Sequence, residues 1–220
     1  VLDTSSSMKG KPIKDAKRCV ADLYRLLGDD DGLALITFDT EIRLVMDLTR
    51  KKDGLADALE RSLLRVECGG RTRLWDSVFQ GFELLCCRKR NGGRAPSHPY
   101  LIVVTDGMDN ESKMVDKDEV KAILSKPGEH GYGGPRSANF HLNFLTVGPE
   151  ADQAAASALC RKGHMKHFHA PSLSEINQGF WKIYDCLRVT IEHTRTTVVT
   201  AEVPRDGKMK IMKDLKAMKP

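Results

Sequence analysis

The chain has 220 residues and a mass of 24.5 kDa, is 40% hydrophobic, and so carries enough apolar content for a real core in one domain of ordinary size plus a tail. Its net charge of +5 is mild: it favours acidic partners slightly and gives no argument for nucleic acid. The longest apolar runs are short, such as 100–104, so no membrane span is expected.

Val1-Leu2 reads as the stub of a strand whose start is missing, and the lack of an initiator Met and a signal sequence marks the chain as a piece of something longer. Ile13, Ala16, Val20, Leu23 and Leu27 recur at helical spacing, with Pro12 near the start and Gly28 at the end. The continuous apolar run 33–38 predicts a strand covered on both faces. After a tight turn at Asp39-Thr40, Ile42, Leu44, Met46 and Leu48 alternate with their neighbours, as in a half-exposed antiparallel edge strand. Leu55, Leu59 and Leu63 mark a short helix. Leu74, Val78, Phe82 and Leu85 mark a longer one over 73–89, starting after Thr72. Strands are expected at 100–105, 140–147 and 165–168, and helices at 115–124, 151–160 and 173–187. Residues 88–99, with four basic side chains, and 126–139, with four glycines, read as solvated, mobile helix-to-strand connections. The basic one also reads as a docking patch for an acidic surface. Residues 196–203 look extended, and a lysine- and methionine-rich tail follows a turn at 204–207; the stretch 194–220 reads as a hairpin, a short amphipathic helix or a linker to a following domain.

Strands alternating with helices predict an α/β fold, a mostly parallel sheet with helices on both faces, which binds ligands at the carboxyl ends of its strands. Three polar clusters fall at that edge: Asp3-Thr4-Ser5-Ser6-Ser7 after the first strand, Thr72 opening a helix, and Asp106 in Thr105-Asp106-Gly107. Each alone is explained by capping or turn chemistry. Together they offer only oxygen ligands and few charges, the makings of a hard-cation site with one position left for an outside ligand. Asp109 and Asn110 belong on its rim, either tuning the ion, meeting a partner, or simply exposed.

The six cysteines, at 19, 68, 86, 87, 160 and 186, form no CxxC pair, so a zinc framework is not expected and a reducing, cytoplasmic location is. The sequon Asn110-Glu111-Ser112 beside the metal loop agrees, since a glycan there would crowd the opening. Cys68 near that loop reads as a structural thiol. His164, His167 and His169 with Cys160 fit no common zinc spacing and read as a surface cluster.

These motifs resemble the von Willebrand factor type A domains, which include the integrin inserted domains. The metal-ion-dependent adhesion site of that family reads Asp-x-Ser-x-Ser, then Thr, then Asp in a Thr-Asp-Gly turn, and Asp3, Ser5, Ser7, Thr72 and Asp106 match all five positions. Met8, Gly10 and 74–76 look like family surroundings. The resemblance covers roughly residues 1–190, with 191–220 an extended, basic segment or linker. It implies a doubly wound, Rossmann-like six-stranded sheet of order 3-2-1-4-5-6 with one antiparallel edge strand. It also implies Mg²⁺ or Mn²⁺ held by Ser5, Ser7 and Thr72, with Asp3 and Asp106 acting directly or through water. The partner it implies is a protein, or another domain of the same chain, that contributes an Asp or Glu carboxylate. In some members the last helix, here 173–187, moves when ligand binds.

The function expected is therefore metal-dependent protein binding. One alternative is a structural domain whose metal only stabilises the fold. Another, a metal-assisted phosphatase or hydrolase with Asp3 as nucleophile, lacks its second carboxylate, because Ser5 stands two positions on. There is no GxSxG elbow and no P-loop, so no enzyme is expected.

Overall fold

A computed structural model describes residues 1–87, 98–132, 135–161 and 164–201, with side chains as far as residue 188 except at 135–136. The chain divides into two compact units, Val1–Lys182 and Ile183–Pro220. The basic residues at 88–94 and the tail beyond 201 lie outside the described residues, and with them the docking patch expected there.

The first unit is built on a six-stranded sheet. Its strands are β1 (Leu2–Asp3), β2 (Gly32–Phe38), β3 (Ile42–Arg50), β4 (Tyr100–Thr105), β5 (His141–Val147) and β6 (Met165–Ala170). They stand in the order β3-β2-β1-β4-β5-β6. Every pairing is parallel except β2 with β3, as the apolar runs and the alternating 42–48 pattern predict. The order turns at β1, whose two residues lie between β2 and β4, so loops leaving β1 and β4 open on the same crevice.

The helices are α1 (Lys11–Leu23), α2 (Leu55–Leu64), α3 (Leu74–Cys86), α4 (Lys117–Ser125), α5 (Pro135–Ala138), α6 (Gln153–Leu159) and α7 (Ile176–Ala201). Side chains of α3, α4 and α6 form one apolar cluster with β2, β4 and β5 around Phe82, Val103 and Phe144. Neighbouring strand residues face opposite ways. Phe144 points into that cluster, and Leu145 meets Gly179 of α7 on the other face, where a Cβ would come within 2.5 Å of Leu145 Cδ1.

Two expectations change. Residues 196–201 are helical, not extended, because they continue a helix already formed over twenty residues. Adding residues to an existing helix is easy, and the strand preference of Thr196, Thr197, Val198 and Val199 is a weak local bias beside it. The 126–139 connection holds a 3₁₀ turn at Pro127–His130 and the short α5. It is pinned by Tyr132, whose ring meets Phe79 and Phe82 edge-on at 5.7 and 5.8 Å.

Candidate metal centre

Asp3 ends the central strand and has no exposed surface. Its Oδ1 accepts the Ser5 backbone N–H at 2.8 Å, which turns the chain so that Ser5 and Ser7 project the same way. Its Oδ2 accepts the Thr105 hydroxyl at 2.5 Å, and Thr105 Oγ1 in turn accepts the Gly107 N–H at 3.2 Å. One hydroxyl therefore fixes the first carboxylate and shapes the turn carrying the second. Ser7 Oγ donates to Asp106 Oδ1 at 2.9 Å and stands 3.1 Å from Ser5 Oγ. Asp3, Ser5 and Asp106 are buried while Ser7 is exposed, so the cluster opens to solvent on the Ser7 side.

Thr72 joins from the second loop. That loop is laced to the first by Ser6 N–H to Gly70 O at 3.2 Å and Gly69 N–H to Thr4 O at 2.9 Å. Gly70 has φ +71°, and a Cβ there would lie 2.5 Å from Thr40 Oγ1, so glycine is required. Thr72 Oγ1 lies 3.1 Å from where a Cβ on Gly107 would stand, against the Asp106 turn. It makes no hydrogen bond to Ser5, Ser7 or Asp106. Nor does Thr72 cap α3: the cap position is Arg73, whose side chain makes no capping bond, and the orphan N–H groups of Leu74 and Trp75 are taken by Asp109 Oδ1 from the third loop.

Asp109 and Asn110 are thus braces more than rim groups. Asn110 Oδ1 accepts the Thr72 N–H at 2.9 Å, and its own N–H donates to Thr72 O at 3.0 Å. Behind them Asp76, with no exposed surface, accepts the N–H groups of Lys113, Met114 and Val115, each at 2.9 Å, and pairs with Arg73 at 2.6 Å. Burial works to raise the Asp76 pKa, but these donors prevail and hold it below the usual carboxylate range. The sequence names Thr105 in the Asp106 turn and Asp76 within the 74–76 surroundings, but not the bracing role of either; for Asp76 the further signal is an acidic residue in the first turn of a helix.

Burial pushes the Asp3 carboxyl up to about 6, against the hydrogen bonds from Thr105 and Ser5 and with a smaller push from Asp106. Burial also raises Asp106, opposed by the Ser7 hydroxyl. Neither carboxylate forms an ion pair among the described residues. Two buried acids without a cation, walled by hydroxyls, are a donor set that suits a hard divalent ion. The spacing fits as well: Mg²⁺–oxygen bonds of about 2.1 Å put neighbouring corners of an octahedron about 3 Å apart, close to the separations within the Ser5–Ser7–Asp106 cluster. Among the described residues no three His, Cys, Asp or Glu side chains converge on one point. Any ion here would rest on two carboxylates and hydroxyls.

The remaining candidates do not assemble. His167 and His169 both bond Thr146 Oγ1, at 2.8 and 3.1 Å, and His167 also meets Ser157 Oγ at 2.8 Å. His164 stacks on His141 instead, and burial pushes the Cys160 thiol up to about 12. Burial likewise raises the Cys68 thiol, opposed by Lys17 and helped by Asp3 and Asp106.

Residues 1–177 match the von Willebrand factor type A domain family. The chain belongs to that family. It is 28% identical over 176 residues to an uncharacterized protein of Synechocystis sp., a match covering 78% of this chain and 37% of that protein. Among solved structures it is similar to a von Willebrand factor type A protein from Catenulispora acidiphila, at 20% identity and a TM-score of 0.62, covering 83% of this chain and 40% of that one. It is also similar to proximal thread matrix protein 1 of the mussel byssus, with zinc in its metal-ion-dependent adhesion motif, at 13% identity and a TM-score of 0.63, covering 85% and 46%. At these identities the structures establish the fold alone. The chain spans less than half the length of each of these relatives. Type A domains are protein-interaction modules that often carry a divalent metal, and no described helix is long and apolar enough to cross a membrane.

Proposed function

We propose that this domain binds a divalent metal, Mg²⁺ or Mn²⁺, through Ser5, Ser7, Thr72, Asp3 and Asp106, and uses it to capture a carboxylate of a protein partner. The observation that carries this reading is Ser7 Oγ standing 3.1 Å from Ser5 Oγ and 2.9 Å from Asp106 Oδ1, with Asp106 and Asp3 both buried and neither paired with a cation among the described residues. All donors are oxygens, which favours Mg²⁺ or Mn²⁺ over zinc. With so few protein charges a bound ion stays electrophilic and has a position for an anionic ligand on the exposed Ser7 side. The mussel protein with zinc in its corresponding motif supports a metal here and makes zinc the competitor to test.

We assign no catalysis to this domain. Asp3, the group a nucleophilic mechanism would use, has both oxygens engaged by Ser5 and Thr105, and no acid stands two residues on. Six cysteines with no disulfide among the described residues suit the reducing, cytoplasmic location we propose.

The test is paired capture from source-cell lysate in Mg²⁺ and in EDTA, with wild type, Asp3→Ala and Ser7→Ala. A protein held only by metal-loaded wild type is the expected result. Capture indifferent to metal and to both substitutions would leave the metal, if bound, a structural role only.

A further inference from the structure

Away from the three loops, a second group of side chains converges at the edge of the sheet. His167 and His169 flank Phe168 on β6, so both rings lie on one face, the face that α6 covers. The register sets His169 beside Thr146 of β5. Thr146 is buried, and its Oγ1 lies 2.8 Å from His167 Nε2 and 3.1 Å from His169 Nδ1. Two ring nitrogens thus flank one oxygen, while His164 turns away to stack on His141. The single hydroxyl hydrogen cannot serve both nitrogens. When it turns to Phe168 O, at 3.4 Å, the oxygen and the two nitrogens offer lone pairs toward one place. Donors about 2.1 Å from an ion stand about 3.0 Å apart in an octahedron and about 3.4 Å apart in a tetrahedron, close to the 2.8 and 3.1 Å found here. On the outer side the exposed Ser157 of α6 brings its Oγ to 2.8 Å from His167 Nδ1. A proton on Nδ1, donated to that hydroxyl, leaves Nε2 bare toward Thr146, which is what a metal-bound imidazole requires. Burial first, then His169, hold the His167 ring below its usual pKa, so it is neutral at pH 7.

We propose that His167 Nε2 and His169 Nδ1 hold a divalent transition metal of the zinc type, with Thr146 Oγ1 as a weaker third donor and Ser157 orienting the His167 ring. Among the described residues no third His, Cys, Asp or Glu joins the pair, so water fills the remaining positions and the affinity is modest. The donor type sets the ion class. Imidazole nitrogen favours Zn²⁺, Ni²⁺ and Cu²⁺, whereas the all-oxygen set at the three loops favours Mg²⁺. The two places sort different ions, and this one stands whether or not the loops bind metal. An ion here ties β6 to β5 beside α6 and stabilises that corner of the sheet.

The test uses the whole chain, reduced and metal-stripped, in excess Mg²⁺ to keep the probe from the oxygen donors. The probe is Co²⁺, whose visible bands report nitrogen and oxygen ligands and whose near-ultraviolet charge-transfer band reports thiolate. Wild type is expected to take up Co²⁺ with visible bands and no thiolate band, and Zn²⁺ should displace it. His167→Gln with His169→Gln should abolish this uptake, Ser157→Ala should weaken it about tenfold, and His164→Gln should leave it unchanged. In wild type itself, Co²⁺ should broaden the ring C–H NMR signals of His167 and His169 before those of His141, a result that does not depend on any variant folding. Uptake that the double variant keeps, a thiolate band, or broadening that begins at other histidines overturns the proposal.

Discussion

Asp3 is a carboxylate with no exposed surface, no ion-pair partner among the described residues and an acid for a neighbour. Such a group resists ionisation, which accounts for its rise from 3.8 to about 6. Between those values the native metal-free chain keeps a proton that the unfolded chain has lost. Stability of the metal-free protein therefore falls as pH rises through that window, by up to roughly 3 kcal/mol. Asp3→Asn removes the penalty and can keep the hydrogen bonds: the amide oxygen accepts from Ser5, the amide nitrogen donates to Thr105, and the Thr105 hydroxyl turns to Gly107 O at 3.5 Å. The metal-free variant should melt above metal-free wild type at pH 7 and gain nothing from Mg²⁺. A variant stabilised by Mg²⁺ as strongly as wild type would remove Asp3 from the site.

At the scale of elements, the site depends on one clasp between α3 and the loop after β4. Asp76→Ala unties three backbone N–H groups and Arg73 at once and should cost about 3 kcal/mol in urea denaturation while weakening Mg²⁺ binding, because the loop carrying Asp106 loses its anchor. Asp109→Ala removes the cap of α3 and should cost about 1 kcal/mol. If Asp76→Ala lowers stability without touching Mg²⁺ affinity, the clasp supports α3 and not the site. The strands were legible because each apolar run had one period and clear bounds, as with 100–105 and 42–48. The candidate oxygen donors stand out in sequence from their places: Asp3, Ser5, Ser7 and Asp106 after strands and Thr72 before a helix. The clasp was not, since it joins Asp76 to backbone N–H groups some 37 to 39 positions away, and backbone donors leave no trace in side-chain pattern. Thr72 shows the same limit: its type suits a cap, but the cap comes from Asp109, which only tertiary contact brings near. The helix expected from 115 begins at Lys117 because Asp116 and Glu119 close a capping box there.

Across the first unit as a whole, the two ends of the sheet respond to pH in opposite senses. At the end away from the site, His141 stacks between Tyr100 and His164 at 4.3 and 4.4 Å. Burial first, then His164, His98 and Lys166, pull its pKa down to about 4. Between 4 and 6.5 the unfolded chain binds a proton that the native one refuses, so this group erodes stability as pH falls, opposite to Asp3. In the Asp3→Asn background the acid-side loss should stand out, and adding His141→Phe, which keeps a ring in the stack, should flatten it in urea midpoints taken from pH 7 to pH 5. An unchanged profile would remove His141 as its source. Packing gives a reference scale: Phe82, fully buried among α3, Phe140 and Tyr132, should cost about 3–5 kcal/mol on replacement by Ala, whatever the metal. The claim on which the rest hangs is that three loops at one sheet edge form a single divalent site. Calorimetric titration of Mg²⁺ into metal-stripped wild type and Asp106→Ala tests it most directly. One ion bound by wild type and none by the variant is the result predicted; no uptake by wild type at millimolar Mg²⁺, or equal uptake by both, would contradict it.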